Sequence, residues 1–250
     1  MKTVAIVPVF NHAETVGDVV TSLRGYGLPV ILVDDGSNVA TARKLDALIR
    51  ETATFTPPVK LLRHSQNQGK GAAVMTGFRR AREWGASHAF QVDADSQHGL
   101  EVVPRFLDAA TRNPSAVIAG YAIYDATAPK ARLYGRYLTH IWVWINTLSI
   151  RIKDSMCGFR VYPLAAVMPL LPDMIFAKRM DFDIEILVRL DWNGTPLINL
   201  PVAVRYPMGG VSHFRMWRDN LRIFLMHARL FLGMLWRLPR LVSRYFPSGK

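Results

Sequence analysis

Two aspartates, Asp93 and Asp95, follow directly on an apolar run that extends from Ala89 to Val92. Such a run predicts a buried strand, and side chains just beyond the carboxyl end of a parallel strand point into the crevice where α/β proteins bind ligands. Two carboxylates held close together repel each other and favour a cation. Mg²⁺ and Mn²⁺ take oxygen ligands from one or two carboxylates and from substrate phosphates. The pair therefore predicts a metal–diphosphate site; the alternative is that Asp95 or Ser96 caps the next helix.

Polar residues also follow the two earlier apolar runs. The run from Val4 to Val9 leads to Asn11, and the run from Pro29 to Val33 leads to Asp34 and Asp35. The structural alternatives are a capping box that pairs Asn11 with Glu14, three residues on, and a turn at Asp34-Asp35-Gly36 with Ser37 as a helix cap. Carboxylates thus stand repeatedly at predicted strand ends.

A lysine between two glycines opens a later helix, in the segment Gln68-Gly69-Lys70-Gly71. Glycines permit close backbone approach, and a helix N-terminus attracts anions. The segment lacks the phosphate-binding loop pattern Gly-x-x-x-x-Gly-Lys-[Ser/Thr], and no Gly-x-Gly-x-x-Gly follows the first strand, which argues against an NAD enzyme. We interpret Lys70 as a positive charge near an anionic ligand.

Three acids, Asp181, Asp183 and Glu185, fall in the first turn of a helix predicted to run through Leu190. Negative charge is favourable at a helix N-terminus, and this effect alone could account for all three. The catalytic alternative is that one of them faces the crevice.

Strands and helices alternate along the first half of the chain. We predict strands over Val4–Val9, Pro29–Val33, Val59–Leu62, Ala89–Val92 and Ala116–Ala119, a loop over Tyr121–Arg132, a helix over Leu133–Ile152 and a last strand over Leu197–Tyr206. Short connections between alternating strands and helices predict an α/β fold with a mostly parallel sheet covered by helices on both faces.

Basic residues are concentrated at the C-terminal end. The chain has 31 Lys plus Arg against 19 Asp plus Glu, a net charge of +12, and Asp219 is the only acid from Phe214 onwards. The same tail is rich in Leu, Phe and Trp, which suits a membrane interface better than a nucleic-acid groove. Its longest apolar run, Leu230 to Trp236, is far below the ~20 residues that span a bilayer. This segment, like the helix around Trp142, is predicted either to lie on a membrane or to pack as a core helix.

The single Cys157 excludes an internal disulfide and fits a reducing compartment. After Met1 the chain enters a short apolar strand without the features of a signal peptide. We therefore expect a cytoplasmic protein, peripheral on the inner face of the membrane.

Five motifs together resemble family 2 glycosyltransferases, most closely the polyprenyl-phosphate branch that includes dolichyl-phosphate mannose synthases. They are Pro8-Val9-Phe10-Asn11, Asp34-Asp35-Gly36-Ser37, Asn67-Gln68-Gly69-Lys70-Gly71, Asp93-Ala94-Asp95-Ser96-Gln97-His98 and Cys157-Gly158-Phe159-Arg160. Each is weak alone, but their order and spacing over roughly residues 4 to 215 are specific.

The resemblance implies a GT-A fold, a Rossmann-like sheet that binds a nucleotide-sugar, and an inverting, metal-dependent reaction. It implies that Asp93, Asp95 and Gln97, with Ala94 between them, hold Mg²⁺ or Mn²⁺ on the diphosphate. The implied nucleotide-binding residues are Pro8, Phe10, Asn11, Asp34 or Asp35, Lys70 and Arg160, and Arg205 with the Ser212-His213 turn would close over the donor and the acceptor phosphate.

Two departures from the family pattern concern the acceptor. The chain has Gly120-Tyr121-Ala122 where the family often has Gly-Ser-Arg, so one basic contact is missing. Family members that glycosylate a hydroxyl use an acidic base, for which Asp183 and Glu185 are both candidates. A phosphate acceptor is already anionic near neutral pH and requires no strong base.

We expect an inverting enzyme that moves a hexose from a UDP- or GDP-sugar to a lipid-linked acceptor, with polyprenyl phosphate as the expected acceptor. The alternatives are transfer to a hydroxyl of a glycolipid or other lipid-like product, and a non-catalytic basic membrane-binding protein on a GT-A scaffold. Residues 1–215 are expected to form the GT-A domain, and residues 216–250 a basic amphipathic helix and tail that bind an anionic membrane surface. No nucleic-acid partner is expected.

Overall fold

A seven-stranded sheet forms the centre of the computed structural model. The structure describes residues 1–54, 56–124, 130–204 and 216–246, and for residues 130–133 and 216–219 it describes the backbone alone. The strands are β1 Thr3–Val9, β2 Val30–Asp34, β3 Val59–Arg63, β4 His88–Gln91, β5 Val117–Tyr124, β6 Arg160–Pro163 and β7 Leu197–Val204. Their order across the sheet is β3-β2-β1-β4-β6-β5-β7, and among these described strands only β6, between β4 and β5, runs antiparallel to its neighbours. The mostly parallel α/β architecture is confirmed.

Helices cover both faces of this sheet. They are α1 Val16–Gly25, α2 Val39–Thr52, α3 Lys70–Glu83, α4 Val103–Arg112, α5 Lys130–Thr147, α6 Leu164–Val167, α7 Phe182–Trp192 and α8 Met216–Ser243, with 3-10 turns at Leu100–Val102 and Met168–Asp173. Successive residues of β1 point to opposite faces, because side chains alternate along a strand. Val4 and Ile6 join a core with α3, α7 and α8, whereas Ala5 and Val7 join a second core with α1 and α4.

Two predicted boundaries were wrong. Tyr121 to Tyr124 belong to β5 and not to a loop, because β5 pairs with β7 at eight consecutive positions. Helix α5 begins at Lys130 and ends at Thr147, because Leu148 adopts the left-handed conformation with φ +50°. The strand expected to reach Tyr206 is described as far as Val204, and residues 205 and 206 lie outside the described part of the chain, so this boundary stays a prediction.

The C-terminal helix α8 packs along one side on α5 and α7. Its residues Met226, Leu230, Met234 and Leu241 are buried in the same core as α3. Its opposite side exposes apolar side chains, with Trp236 86% and Phe224 65% accessible. Among the described residues, no helix is long and apolar enough to cross a bilayer.

Candidate active site

A cleft of ≈430 Å³ opens at the carboxyl ends of β1, β2 and β4. Its lining consists of Pro8, Val9, Phe10, His12, Asp35, Asn67, Gly69, Lys70, Asp93, Ala94, Asp95, Arg179, Met180 and Arg222. These strands are adjacent in the sheet, so side chains from distant parts of the sequence converge at one edge. Asp35 follows β2 and Asp93 follows β4, with β1 between them. Strands β2 and β4 therefore lie two strand spacings apart, about 10 Å.

Lys70, the first residue of α3, joins two carboxylates at the floor of the cleft. Its Nζ lies 2.8 Å from Asp93 Oδ1, 2.9 Å from Asp93 Oδ2 and 2.8 Å from Asp183 Oδ2. All three side chains are largely buried, and Asp183 is 4% exposed. Gly158 makes room for this contact, since a Cβ there would lie 2.7 Å from Asp93 Oδ2 and 2.8 Å from Lys70 Nζ. The glycine of the Cys157–Arg160 motif is thereby explained.

Burial and charge act in opposite directions on this triad. Burial would lower the pKa of Lys70, but the Asp183 and Asp93 carboxylates outweigh it and raise that pKa above its ordinary value. Burial would raise the pKa of Asp93, but Lys70, His98 and Arg160 hold that pKa below its usual range. The lysine is therefore a cation and Asp93 an anion at neutral pH.

A buried chain of hydrogen bonds fixes Asp183 from behind. Gln91 Nε2 donates to Asp183 Oδ1 at 2.8 Å, and the Tyr162 hydroxyl donates to Gln91 Oε1 at 3.4 Å. Arg160 donates to the Tyr162 hydroxyl at 3.1 Å and to the Asp183 carbonyl at 2.6 Å. Arg160 is fully buried beneath the cleft and is not part of its lining. Its place in the structure is to hold the backbone and the partners of Asp183.

Asp35 organises the opposite end of the cleft. Its carboxylate accepts hydrogen bonds from the Gln68 and Gly69 backbone amides at 2.9 and 2.7 Å, and contacts His64 Nδ1 at 2.7 Å. These contacts tie the end of β2 to the start of α3, and so set the position of Lys70. Asp35 lines the cleft.

Asp34 lies outside the described cleft lining. Its side chain is completely buried, accepts from Arg63 Nε at 2.7 Å and accepts from the Ser37 amide at 2.9 Å. Of the two adjacent aspartates, the structure therefore brings Asp35 to the cleft and places Asp34 in a buried ion pair.

Asn11 connects the loops that follow β1 and β2. Its amide donates to Ser37 Oγ at 3.0 Å, and its Oδ1 accepts from the Asn38 amide at 2.9 Å. The capping interpretation was wrong for Asn11 and Ser37, because α1 begins after Thr15 without a side-chain cap and Asn38 caps α2. Glu14 instead forms an exposed ion pair with Lys44. Asn11 thus stabilises the rim of the cleft without lining it.

The segment after β4 turns sharply around Asp95. Asp95 Oδ1 accepts from the Gln97 amide at 3.0 Å, and Ser96 adopts φ +55°.

Burial would lower the pKa of His98, but Cys157 and the Asp93 and Asp95 carboxylates raise it to about 9. The Gln97 side chain is not among the described cleft-lining groups. Asp93, Ala94 and Asp95 line the cleft together.

The donor set at Asp93 and Asp95 fits a hard divalent cation that shares its ligands with a diphosphate. Both residues supply carboxylate oxygens. Asp93 Oδ1 is buried and accepts no hydrogen bond of good geometry, although Lys70 Nζ lies 2.8 Å from it as an ion-pair partner. Within the described residues, no group of three or more His, Cys, Asp or Glu side chains could hold a metal. Two protein carboxylates with substrate phosphates are the arrangement that Mg²⁺ commonly adopts.

A family model described as glycosyl transferase family 2 matches residues 4–167, more than half of the 250 residues. The chain belongs to glycosyl transferase family 2. It is therefore a glycosyltransferase, and the resemblance drawn from the five motifs is confirmed.

Two relatives align with most of this family 2 chain. The UDP-N-acetylglucosamine–dolichyl-phosphate N-acetylglucosaminyltransferase of Methanococcus voltae is 24% identical over 213 residues, which cover 80% of this chain and 84% of that protein. The polyprenol monophosphomannose synthase of Mycolicibacterium smegmatis is 26% identical over 236 residues, covering 88% and 83%. Glucosyl-3-phosphoglycerate synthase from Mycobacterium tuberculosis, solved with Mn²⁺ and UDP-glucose, superposes with a TM-score of 0.61 at 14% identity, covering 94% of this chain and 78% of that chain. This likeness supports the GT-A fold.

The two candidate bases of the glycosyltransferase lie on different sides of α7. Asp183 contacts Lys70 at the cleft floor, whereas Glu185 is fully buried against two arginines. Arg189 Nε lies 2.8 Å from Glu185 Oε1, and Arg229 of α8 contacts Glu185 Oε2. The structure therefore brings Asp183 to the site and places Glu185 in the contact between α7 and α8.

Sequence reasoning missed seven described residues of the cleft: Val9, His12, Asn67, Gly69, Arg179, Met180 and Arg222. Asn67 stood in a recognised motif, and its position before Lys70 was an available signal. Arg179 and Arg222 come from a loop and from α8, so only the tertiary fold brings them to the cleft. Three predicted residues, Arg205, Ser212 and His213, lie outside the described residues.

Proposed function

We propose that this family 2 glycosyltransferase transfers a hexose, with inversion, from a UDP- or GDP-sugar to a polyprenyl phosphate. The observation that carries the proposal is the placement of Asp93 and Asp95 at the end of β4, in a cleft whose floor holds Lys70. The acceptor is supported by the names of the relatives, which specify dolichyl phosphate and a polyprenol monophosphate sugar.

In the proposed reaction the diphosphate lies beside Asp93 and Asp95, which would hold Mg²⁺ or Mn²⁺. When bound, that cation would offset negative charge developing on the leaving nucleoside diphosphate. Lys70 keeps Asp93 ionised and oriented, because its ammonium contacts both carboxylate oxygens. Asp35 and Pro8 flank the other end of the cleft, where we place the nucleoside.

The surroundings of Asp183 favour a phosphate acceptor over a hydroxyl acceptor. One carboxylate oxygen accepts from Gln91 and the other contacts Lys70, and the side chain is almost completely buried. A general base must be within hydrogen-bonding reach of the proton it abstracts. An acceptor that is already an anion requires no such base. We assign Asp183 the role of holding Lys70.

We further propose that α5 and α8 lie on the cytoplasmic face of an anionic membrane. The two helices pack together, with the Trp142 and Phe231 rings 6.4 Å apart. Each leaves large apolar side chains exposed: Tyr134, Tyr137, Leu138 and Ile141 on α5, and Leu221, Phe224, Leu225, Leu232, Leu235 and Trp236 on α8. Apolar exposure beside arginines is typical of interfacial helices. In this proposal residues 216–250 are the membrane element of the 1–215 catalytic domain.

The test is turnover of a panel of UDP- and GDP-sugars with a short polyprenyl phosphate, in Mg²⁺ and in Mn²⁺ separately. Asp93→Asn and Asp95→Asn should each abolish product while the circular dichroism spectrum is kept. Asp18→Asn, an exposed aspartate on α1, is the matched control and should leave turnover unchanged. Unchanged metal-dependent turnover in Asp95→Asn would refute the metal assignment, and a product bonded through a lipid hydroxyl would refute the phosphate acceptor.

A further inference from the structure

Two arginines, Arg179 and Arg222, line the cleft from segments that follow β6 in the chain. Arg179 belongs to the loop before α7, and Arg222 belongs to the first turns of α8. We propose that these two guanidinium groups bind the diphosphate of the donor. The inference rests on the proposed nucleotide-sugar donor and adds two substrate-binding residues and one structural element, α8, to the donor site.

Three contacts fix Arg179 in the cleft wall. Its amide donates to Asp181 Oδ1 at 3.0 Å, and its Nη1 donates to Asn67 Oδ1 at 3.0 Å. Its side chain also packs closely on Gly69, since a Cβ added to that glycine would lie 2.5 Å from Arg179 Cγ. Gly69 adopts φ +108°, which L side chains rarely adopt. The arginine therefore lies across the glycine, at the N-terminus of α3.

The described lining holds three basic side chains, Lys70, Arg179 and Arg222, and three carboxylates, Asp35, Asp93 and Asp95, so an anionic ligand is favoured at the two arginines and not over the whole cleft. Lys70 is the remaining Lys or Arg side chain of the described lining, and it already contacts the Asp93 and Asp183 carboxylates. The Arg179 guanidinium donates to the Asn67 side-chain amide oxygen, which is neutral, so this hydrogen bond does not neutralise the positive charge of Arg179. A guanidinium presents a planar set of donors that matches phosphate oxygens, often through two parallel hydrogen bonds.

Helix α8 places Arg222 by means of its contacts with α7. Arg229 contacts Glu185, and Nη1 of Arg244, the residue directly after α8, lies 3.0 Å from Asp191 Oδ2; both carboxylates are buried. Arg222 precedes Arg229 by seven residues, about two helical turns, so both lie on the same side of α8. The ion pairs that hold α8 on α7 thus also direct Arg222 toward the cleft.

The experiment is calorimetric titration of the full-length protein with UDP, GDP, uridine and guanosine in the presence of Mn²⁺. Arg179→Ala and Arg222→Ala should each weaken binding of the nucleoside diphosphates by about tenfold to a hundredfold, as expected for a lost charge-assisted hydrogen bond. Binding of the nucleosides should change less than about twofold, because they lack the phosphates. Lys178→Ala and Arg240→Ala are matched controls, since both are exposed cations outside the described lining, one beside Arg179 and one on α8. Arg179→Lys and Arg222→Lys should recover part of the affinity.

Diphosphate affinities unchanged in both alanine variants would overturn the inference while leaving the proposed function intact. Equal losses for uridine and UDP would also overturn it, because the arginines would then contact the nucleoside. A wild-type protein that binds neither UDP nor GDP would overturn both the inference and the proposed donor. Melting curves verify folding, and the lysine variants keep the test decisive if an alanine variant unfolds.

Discussion

His227 should make the stability of this glycosyltransferase depend on pH. The residue lies on α8, is 5% exposed, stacks on Trp142 and contacts Asn146 through Nδ1 at 3.2 Å. Its Nε2 is buried without a hydrogen-bond partner in the described structure. Burial lowers the pKa of His227 from 6.5 to about 4, because the charged imidazolium would lose its hydration.

The folded pKa lies below the unfolded value, so the unfolded chain takes up the proton first as pH falls. The contribution of neutral His227 is fully present above pH 6.5 and is lost progressively toward pH 4. With these two values the linkage relation gives a loss of about 2 kcal/mol of unfolding free energy at pH 5. His227→Gln removes the titration and can keep a hydrogen bond to Asn146.

The measurement is urea unfolding of both proteins at pH 8, 6 and 5, followed by circular dichroism. The free-energy difference between wild type and His227→Gln should change by about 2 kcal/mol between pH 8 and pH 5, in favour of the variant. Trp142→Phe is the control, because it alters the same contact without removing a titratable group, and its curve should remain parallel to wild type. Parallel curves for His227→Gln would refute the argument.

Three further outcomes follow from the cleft. Lys70→Met leaves two buried carboxylates without their cation and should cost about 3–5 kcal/mol by urea unfolding at pH 7; a loss below 1 kcal/mol would contradict the buried triad. In Gly69→Ala the new Cβ would lie 2.3 Å from the Lys178 carbonyl oxygen, and residue 69 would have to keep its positive φ of +108°. The substitution should lower the unfolding free energy by about 1–3 kcal/mol; an unchanged melting temperature would show that the loop adjusts. Asp183→Asn should reduce turnover of the folded enzyme, whereas Glu185→Gln should reduce the melting temperature and keep turnover per folded molecule; the reverse pattern would assign the chemistry to Glu185.

The sequence was sufficient to predict the buried strands, since β1 and the first four residues of β2 are β-branched or aliphatic. It also located the carboxylates that follow β2 and β4, because the end of an apolar run marks the edge of a parallel sheet. The extension of β5 to Tyr124 could not be read, because those four residues are partly exposed and are held by backbone pairing with β7. Backbone pairing leaves no trace in side-chain hydropathy.

Choices between neighbouring polar residues also required the fold. Nothing in the local sequence separates Asp34 from Asp35, and the difference arises from Arg63, which lies 29 positions away and pairs with Asp34. Asp183 and Glu185 are distinguished in the same way, by Lys70 on α3 and Arg229 on α8. Long-range ion pairs of this kind have no sequence periodicity.

The position of β6 has a consequence for the order in which the sheet can form. β4 and β5 are synthesised before β6, yet they share no backbone hydrogen bonds and are joined only through it. In a nascent chain that has not reached Pro163, the edge of β4 that later pairs with β6 has no partner strand. This exposed edge carries Phe90, and unpaired strand edges recruit strands from other chains. Ribosomal pausing or premature release between residues 124 and 160 should consequently favour aggregation more than the same event after β6 has been made.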